Sequence, residues 1–351
     1  MARNIVLLVP GPLDAPTGGS IYDRRMVETL RRRLWRTEVV ELDASFPSPT
    51  QAALDRARRQ LADVCTGAIA IVDSLALGAM ANLIAREASR LRIVALMHLP
   101  VAATVGLDGD TAALVEDNER RALAAAALVV VTGRAALPLL ARYDVPPGRI
   151  ALVEPGTDPA PLARGTRMPV ELLCVGTLNA AKGHEMLLHA LAAVPERSWH
   201  LTCAGSLTRD AATAARVRTA VTTLGLAERV TLAGDLDRDA LAACYDRADL
   251  FVLATRQETY GMAVAEALAH GLPVVATTTG AIAELVGSEA GLLVPVGDTA
   301  MLTEALTRAL NDASLRARLA EGARRVRDRL PTWNHAADRM AIALAALDLH
   351  G

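Results

Sequence analysis

The sequence predicts an α/β protein with two doubly wound domains in tandem. Short apolar strands alternate with amphipathic helices through the first half of the chain, and the same alternation starts again after residue 169. A stretch rich in proline and glycine, at 153–169, separates the two halves. At 351 residues the chain is longer than one ordinary hydrophobic core requires, which agrees with two domains of moderate size.

The first half contains six predicted strands with helical segments between them. Each strand is a short apolar run, as expected in a parallel sheet that is covered on both faces. The predicted strands are Asn4–Pro10, Thr37–Leu42, Gly67–Asp73, Arg92–His98, Leu128–Thr132 and Arg149–Glu154. The predicted helices are Ile21–Leu34, Ala52–Ala62, Leu75–Arg90, Ala112–Ala126 and Arg134–Tyr143.

The second half repeats this architecture without repeating the sequence. The stretch 153–169 has no apolar period and is predicted to be a linker. The strands predicted after it are Val170–Val175, Trp199–Ala204, Val230–Ala233, Leu250–Ala254, Pro273–Ala276 and Gly291–Val294, followed by helices at Ala300–Asn311, Ala313–Arg329 and Thr332–Leu349. We therefore predict domains at 1–160 and 168–330, with a terminal helical segment at 331–351.

Residues 249–286 hold the most informative pattern in the chain. A buried strand is predicted at Asp249–Ala254, then a loop, then a helix at Gly261–His270 that ends at Gly271. This helix is apolar on every side except for Glu266, which is the pattern of a helix buried all round. An unpaired buried carboxylate is unfavourable, so Glu266 needs either a protein partner or a ligand that supplies hydrogen-bond donors.

The start of this helix is suited to a nucleotide diphosphate. Glu258 lies in the loop just before the helix, and the backbone amides of Tyr260, Gly261 and Met262 are helix-start donors that favour a phosphate. Two carboxylates beside these amides would accept hydrogen bonds from sugar and ribose hydroxyls. The alternative is that Glu258 only interacts with the positive end of the helix, while Glu266 pairs with an arginine.

Glu258 and Glu266, with seven residues between them, resemble the E-x7-E motif of retaining glycosyltransferases of family 4, which have the GT-B fold. The surrounding YGMAVAEALAHGLPVVAT is similar to that family's sequence over most of its length. The resemblance implies two Rossmann-like domains facing a central cleft, with a nucleotide-sugar donor on the second and the acceptor on the first. It also implies that Glu258 holds hydroxyls of the donor sugar and Glu266 those of the ribose. The segment starting at Pro331–Trp333 resembles the helix that crosses back to the first domain.

Two features of the first half match the same family. Gly18 and Gly19 follow the first strand, and their amides can approach a phosphate or an acceptor closely. Their position resembles the family's glycine loop, although two adjacent glycines also occur in ordinary turns. His98 ends the fourth strand and matches the family's strand-end histidine, which contacts the donor sugar. The alternative for His98 is a purely structural role.

Lys182 is the only lysine among 37 basic residues, and it lies in a loop between a strand and a helix. Its compact ammonium group fits between two phosphates where a planar guanidinium would not, although a lysine retained by chance is the alternative. The loop resembles the family's phosphate-binding segment, in which the lysine is paired with an arginine. That arginine is absent at Thr177 and Ala181. Arg256 is the candidate replacement, or else the partner that neutralises Glu258.

Composition argues against several other classes of protein. A net charge of -2 gives no reason to expect a nucleic-acid partner, and 3% aromatic residues are too few for a base-stacking surface. No apolar run approaches the roughly 18 residues of a membrane span. The arginine-rich run at 22–36 could contact an anionic membrane that carries a lipid acceptor, peripherally at the inner face, although a solvated helix face is the alternative.

No metal and no organic cofactor are predicted. The four cysteines are far apart and form no C-x-x-C, which favours a reducing cytoplasm, and Cys174 and Cys203 lie in apolar strands where buried thiols are expected. The DGD at 108–110 and the DRD at 237–239 resemble the metal-binding D-x-D of another glycosyltransferase fold, but their aspartates are expected to cap helices. Since the sequence shows no cluster of His and Cys, we expect no structural or catalytic metal.

Together these patterns predict a metal-independent retaining glycosyltransferase. It would move a hexose-type sugar from a nucleotide-diphosphate sugar to a hydroxyl of a sugar, lipid-linked or small-molecule acceptor. The family's usual account of retention is a same-face attack in which the donor phosphate takes the acceptor proton. A non-catalytic nucleotide-sugar-binding protein and a nucleotide-sugar epimerase of similar architecture are the alternatives, whereas a dehydrogenase would need the dinucleotide fingerprint G-x-G-x-x-G.

Overall fold

The computed structural model of the chain describes residues 4–33, 35–166 and 168–347. The chain divides into two compact units. The first combines Met1–Gly156 with Pro331–Gly351, and the second is Thr157–Leu330. Each unit has its own six-stranded parallel sheet and its own hydrophobic core, which confirms the predicted class of two doubly wound α/β domains. None of the described helices is both long and apolar enough to span a membrane.

The sheet of the first unit has the strand order β2-β1-β3-β4-β5-β6, and all its strands are parallel. The chain passes from β1 to β2 on one side, then returns to β3 on the other side of β1. Ligands of open α/β sheets bind beyond the carboxyl ends of the strands at such a reversal. The strands are β1 (Asn4–Pro10), β2 (Arg36–Leu42), β3 (Ile69–Asp73), β4 (Arg92–Met97), β5 (Leu128–Val131) and β6 (Ile150–Leu152).

The helices of this sheet depart from prediction in two places. A 3₁₀ turn at Gly78–Met80 divides the helix predicted at 75–90, where Glu119 packs so closely that a Cβ on Gly78 would lie 2.8 Å from its Cγ. The helix predicted at 134–143 consists of short 3₁₀ turns around a single α-helical turn that contains Pro138. The α-helices are α1 (Gly18–Arg32), α2 (Gln51–Ala62), α3 (Ser74–Leu77), α4 (Ala81–Glu87), α5 (Gly109–Ala125) and α6 (Leu137–Leu140).

The sheet of the second unit has the order β12-β11-β10-β7-β8-β9, again with parallel strands. The strand order reverses between β7 and β10, which are neighbours in the sheet. The strands are β7 (Val170–Val175), β8 (Trp199–Ala204), β9 (Val230–Gly234), β10 (Leu250–Leu253), β11 (Val274–Thr277) and β12 (Gly291–Val294). Predicted strand ends in both units are either matched or displaced by one or two residues, because apolar runs mark the strands clearly.

Seven helices of the second unit accompany these strands in the described structure, and several begin at an aspartate cap. Asp237 accepts a hydrogen bond from the amide of Ala240, as Asp108 does from Thr111 in the first unit. These contacts confirm that the two D-x-D sequences contain helix caps. The helices are α7 (His184–Ala193), α8 (Ala211–Thr223), α9 (Arg238–Arg247), α10 (Met262–Ala269), α11 (Ile282–Val286), α12 (Thr299–Asn311) and α13 (Ala313–Arg327).

The last helix, α14 (Trp333–Ala346), packs on α1 in the first unit. The rings of Tyr22 and Trp333 meet edge to face with their centroids 5.8 Å apart. Arg33 Nε donates to Asp338 Oδ1 at 2.8 Å. A Cβ on Gly156 would collide with the backbone amide of Trp333, so this glycine permits the close approach of the two segments.

The predicted linker at 153–169 contains no helix or strand among its described residues. Its later part is nevertheless bound to the second unit. The amides of Ala163 and Arg164 each donate at 2.9 Å, to the carbonyls of His270 and Asp246 respectively. Thr166 Oγ1 donates to Asp249 Oδ2, also at 2.9 Å. The proline and glycine content therefore marks an extended segment fixed to a domain surface, not a free tether.

Candidate functional site

The two residues that stand out in the second half of the sequence meet in the structure. Lys182 Nζ donates a hydrogen bond to Glu258 Oε1 and forms an ion pair with it. The exposed fractions of the two side chains are 25% and 13%, so the pair is shielded but reachable. Lys182 lies in the loop after β7 and Glu258 in the loop after β10, on either side of the strand reversal. The topology therefore explains why residues 76 positions apart are in contact.

Backbone contacts hold these two loops together. The carbonyl of Ala181 accepts hydrogen bonds from the amide of Arg256 at 2.6 Å and from Thr255 Oγ1 at 2.9 Å. Gly183 has φ +67°, and a Cβ at this position would collide with the carbonyl oxygen of Ala254. Glycine is thus required both for the left-handed conformation and for the close approach to the end of β10.

The glycines around α10 fix the path of the chain ahead of that helix. Gly261 has φ +101° and stands at the cap position, and Met262 is the first helical residue. Gly280 has φ +59°, and a Cβ there would collide with the carbonyl of Glu258. Tyr260 is buried beside them. The amides of a helix start have no acceptor within the helix, so this turn presents donors next to the Lys182 and Glu258 pair.

Glu266 has a tyrosine as its hydrogen-bond partner. Tyr245 Oη donates to Glu266 Oε2 at 3.0 Å, and the tyrosine ring stacks on His270 with centroids 4.6 Å apart. Burial raises the pKa of Glu266, and the hydrogen bond from Tyr245 opposes this rise only in part. Glu266 keeps part of its surface accessible. The observed partner of Glu266 is therefore a tyrosine, and not the arginine that the alternative expected.

Arg256 does not neutralise Glu258, because the ion pair of Glu258 in the described structure is formed with Lys182. The side chain of Arg256 is exposed, and its backbone amide donates to the carbonyl of Ala181 in the loop after β7. Thr177 and Ala181, where the resembled family would have its phosphate arginine, both lie in that loop. Arg256 stays a candidate for that role, since its backbone amide lies 2.6 Å from the carbonyl oxygen of Ala181.

In the first unit, His98 lies in a buried cluster of charged groups. Its Nε2 is 3.2 Å from Asp23 Oδ1 and 3.4 Å from Asp73 Oδ2, and its Nδ1 is 3.4 Å from Thr132 Oγ1. The ring of Tyr22 contacts the imidazole edge to face, with centroids 5.3 Å apart. Asp73 ends β3 and Asp23 lies on α1, so the cluster forms at the strand reversal of the first sheet.

The carboxylates keep His98 protonated. Burial alone would lower the pKa of His98, but Asp23 and Asp73 outweigh burial and raise it to about 10. Burial raises the pKa of Asp23 to about 6, although His98 lowers it. Between these two values His98 is an imidazolium ion facing an ionised Asp23. These three residues also place ligand atoms within 4.8 Å of one another, and a metal there would have to displace the proton from Nε2.

Gly18 and Gly19 form the first residues of α1, which Thr17 caps by accepting from the amide of Ser20 at 3.2 Å. A Cβ on Gly19 would lie 3.4 Å from His98 Cδ2. The structure therefore brings together Gly19 and His98, two predicted site residues from different loops. A Cβ at this distance would be in ordinary van der Waals contact with the imidazole ring, so the first turn of α1 lies directly beside His98.

The sequence analysis missed Asp23, Asp73 and Tyr245. Asp23 lies among arginines on α1, where a carboxylate resembles an ordinary surface charge. Asp73 follows the apolar run IAIV at a strand end, and this position next to a strand reversal is a signal that could have identified it. Tyr245 has no comparable local signal, because its contact with Glu266 depends on how α9 packs near α10.

Three of the six arginines in the run at 22–36 form the following contacts within their own unit. Arg31 donates to the carbonyl of Thr37 at 2.8 Å, and Arg33 pairs with Asp338. The guanidinium of Arg25 lies over the ring of Trp333, 5.6 Å from its centroid. These contacts leave the predicted membrane contact without structural support. Leu34, at the end of the predicted helix, lies outside the described residues.

The absence of a His and Cys cluster, from which we expected no metal, does not hold in the fold. The sequence shows no local cluster of His and Cys, yet the fold places ligand atoms of Cys174, His184 and Cys203 within 4.8 Å of one another. The signal is invisible in the sequence, because Cys203 lies on a different strand and becomes a neighbour only through strand pairing.

Solved structures with this architecture can be superimposed on almost the whole chain. Sucrose-phosphate synthase from Thermosynechococcus elongatus matches with a TM-score of 0.84 and 23% identity, over 99% of this chain and 100% of the other. The Anabaena protein HepE in complex with UDP-glucose matches with a TM-score of 0.78 and 17% identity, over 98% and 99% of the two chains. The two doubly wound units therefore form the GT-B fold of glycosyltransferases.

The sequence match is more local. Residues 169–312, which lie in the second unit, match the family described as Glycosyl transferases group 1. A D-inositol 3-phosphate glycosyltransferase from Corynebacterium efficiens is 30% identical over 215 residues, 56% of this chain and 51% of the relative. The chain thus spans about half the length of the curated relatives it matches. Lys182, Glu258 and Glu266 all lie within the segment that matches the family.

Proposed function

We propose that the chain is a retaining glycosyltransferase that moves a hexose-type sugar from a nucleotide-diphosphate sugar to a hydroxyl acceptor without a metal ion in the transfer step. The observation that carries this proposal is the Lys182 and Glu258 pair beside the start of α10, within the segment that matches group 1 glycosyl transferases. We assign the nucleotide-sugar donor to the second unit and the acceptor to the first.

Lys182 would stabilise the diphosphate that departs from the anomeric carbon. Negative charge develops on this leaving group as the glycosidic bond breaks, and a pre-positioned cation lowers the barrier most effectively. Lys182 has three N–H donors and can therefore keep Glu258 while donating to phosphate oxygens. The helix-start amides at Gly261 and Met262 would supply further donors to the same group, and the exposed Arg256 a second positive charge.

The two glutamates would bind hydroxyl groups of the donor. Glu258 is oriented by Lys182 through Oε1, which leaves Oε2 to accept from a sugar hydroxyl. Tyr245 occupies Oε2 of Glu266, which leaves Oε1 for the ribose hydroxyls. Each carboxylate thus has one oxygen held by the protein, and this fixes the direction of the other.

His98 would contact the donor sugar, as the resemblance implies, and would do so as an imidazolium ion. Asp23 and Asp73 hold the imidazolium in one orientation, and Gly19 leaves room beside the ring. In the transfer itself, the acceptor oxygen would attack the same face that the diphosphate leaves, and a donor phosphate oxygen would take the acceptor proton. This account requires no carboxylate as nucleophile. A cytoplasmic location is a prediction from the cysteine pattern alone.

Binding is tested by calorimetry of the purified chain with UDP- and GDP-sugars. Transfer is tested with a panel of donors and acceptors, with product mass and nucleotide release as readouts. The acceptors include phosphorylated polyols, because the matched relatives are D-inositol 3-phosphate glycosyltransferases. An NMR measurement of the anomeric configuration decides between retention and inversion. Binding without nucleotide release in the presence of acceptors would identify a non-catalytic binder instead.

The site assignment is tested with Lys182→Gln and Glu258→Gln. We expect Lys182→Gln to lower kcat by about 10²–10³, the range for loss of one donor to developing negative charge. Glu258→Gln loses a charged acceptor of a sugar hydroxyl, worth about 1.5–3 kcal/mol, and should lower kcat/KM by about 10- to 100-fold. Glu185→Gln is the matched control, because Glu185 lies on α7 close to Lys182 but pairs with Arg216 at 3.0 Å on the surface. Undiminished transfer in Glu258→Gln would remove that residue from the role proposed here.

A further inference from the structure

Two cysteines and a histidine meet inside the second unit, away from any role in the proposed transfer. Cys174 in β7 and Cys203 in β8 are direct partners in the parallel register, so their side chains project from the same face of the sheet. His184 is the first residue of α7 and turns its ring towards Cys174. Their three ligand atoms lie within 4.8 Å of one another.

The distances fit a coordination site. Cys174 Sγ and His184 Nε2 are 3.7 Å apart. With bonds of about 2.3 Å to sulfur and about 2.05 Å to nitrogen, a zinc ion with tetrahedral to trigonal angles holds its S and N ligands about 3.6–3.8 Å apart. The separation of Cys174 Sγ and His184 Nε2 thus equals the one that the metal needs, and Cys203 Sγ lies within 4.8 Å of both atoms.

Buried thiols are ordinary in apolar strands, but a buried histidine beside them has few polar partners. Cys174 and Cys203 are each 1% exposed, and His184 is 2% exposed. His184 Nδ1 has no hydrogen-bond partner among the described residues, and a thiol is only a weak partner for Nε2. The weak thiol contact leaves the lone pair of Nε2 poorly satisfied inside the protein, which is unfavourable. Metal ligation at Nε2 would supply a strong interaction in place of the weak one.

We propose that Cys174, Cys203 and His184 bind one soft divalent cation of the Zn²⁺ type. On binding, the two thiols lose their protons to solvent, and the neutral imidazole donates its Nε2 lone pair while Nδ1 keeps the ring proton. Two thiolates and one divalent cation give a neutral complex, which suits an interior where an uncompensated charge is unfavourable. Three protein ligands leave one position for a water molecule or another small ligand.

The ligands bracket the loop that carries Lys182. Cys174 lies before this loop, at the end of β7, and His184 lies immediately after it. A metal bound to both would tie the two ends of the loop together and to β8. The expected consequence is a higher melting temperature of the metal-loaded chain, because a ligand that binds the folded state selectively stabilises it.

Native mass spectrometry of the full wild-type chain, reduced with a phosphine and freed of metal, tests the proposal directly. After addition of Zn²⁺ we expect one bound ion and a mass gain equal to one zinc minus two protons. With Co²⁺ as the probe we expect a thiolate-to-cobalt charge-transfer absorption. These two readouts need no variant and therefore do not depend on how any substitution folds.

The ligands are identified by competition with a chromophoric zinc chelator. Cys174→Ser, Cys203→Ser and His184→Gln should each weaken Zn²⁺ binding by more than about 100-fold, since loss of an outer-shell partner alone weakens metal sites 10- to 100-fold. Cys65→Ser and Cys244→Ser are the matched controls and should bind as the wild type does, because these cysteines lie outside the cluster. Failure of the wild type to take up Zn²⁺, uptake without loss of two protons, or equal affinity in Cys174→Ser would each overturn the proposal. None of these results depends on glycosyl transfer.

Discussion

Replacing Asp23 with Asn tests whether the carboxylates of the first unit hold His98 as a cation. The pKa of His98 is raised to about 10 from an ordinary value of 6.5. At 1.36 kcal/mol for each pH unit, this difference corresponds to about 5 kcal/mol in favour of the charged form, shared by the whole cluster. An opposite charge within about 4–6 Å shifts a pKa by about 1–3, so Asp23→Asn should lower the pKa of His98 by that amount.

The direct assay is an NMR titration of the histidine rings, with His98→Gln used to assign the signal. Stability gives a second readout. Because the folded pKa of His98 exceeds the unfolded one, its stabilising contribution is complete below about pH 6.5 and is lost as the pH rises towards about 10. Asp23, with a pKa of about 6, stays ionised throughout this window. The wild type should therefore lose stability more steeply than Asp23→Asn between pH 6.5 and 10.

An unchanged His98 titration in Asp23→Asn would refute this account, and so would a wild-type His98 that loses its proton near pH 6.5. Asp73→Asn is the companion variant, since an asparagine can still accept from the amide of Leu75 and so preserve the cap of α3. If both variants retain the wild-type pKa, the positive charge of His98 has another origin than the contacts at 3.2 and 3.4 Å.

Two further substitutions test how the second unit holds its site residues. Tyr245→Phe removes the donor at 3.0 Å from Glu266, and we expect a loss of about 1.5–3 kcal/mol in urea unfolding at neutral pH, with a further rise in the pKa of the carboxyl group. Gly183→Ala should destabilise the chain by more than Gly225→Ala in the same measurement. Both glycines have nearly equal positive φ, +67° and +65°, but only Gly183 faces the carbonyl of Ala254, whereas Gly225 faces open space. Equal effects of the two alanines would show that close packing at Gly183 is unimportant.

The sheets were predictable because their signal is local. Runs such as Ile69–Asp73 and Val170–Val175 are short, apolar and separated by helical patterns, so their positions follow from periodicity alone. The aspartates of the two D-x-D sequences were expected to cap helices, and Asp108 and Asp237 do so. The helix predicted at 75–90 failed because the 3₁₀ turn at Gly78 depends on Glu119 from α5, which no window around that glycine contains.

The partners of the site residues were less predictable than the residues themselves. Lys182 stood out through composition and Glu258 through spacing, but their ion pair depends on the order of β7 and β10 in the sheet. Asp73 and Cys203 were missed for the same reason. Each becomes a neighbour of its cluster only when a crossover places two strands side by side, and a single sequence does not encode strand order locally.

Both clusters lie at strand reversals, yet their electrostatics differ in a way that bears on function. Lys182 and Glu258 form a one-to-one pair that is partly exposed, so the free energy that holds the two side chains together is small and a charged ligand can rearrange it. His98 faces two buried carboxylates, and removing its charge would leave them uncompensated, which is far more unfavourable. In the proposed transfer, the lysine would therefore be able to follow the diphosphate as its charge develops, whereas the histidine would keep its charge and its position while a ligand binds and leaves.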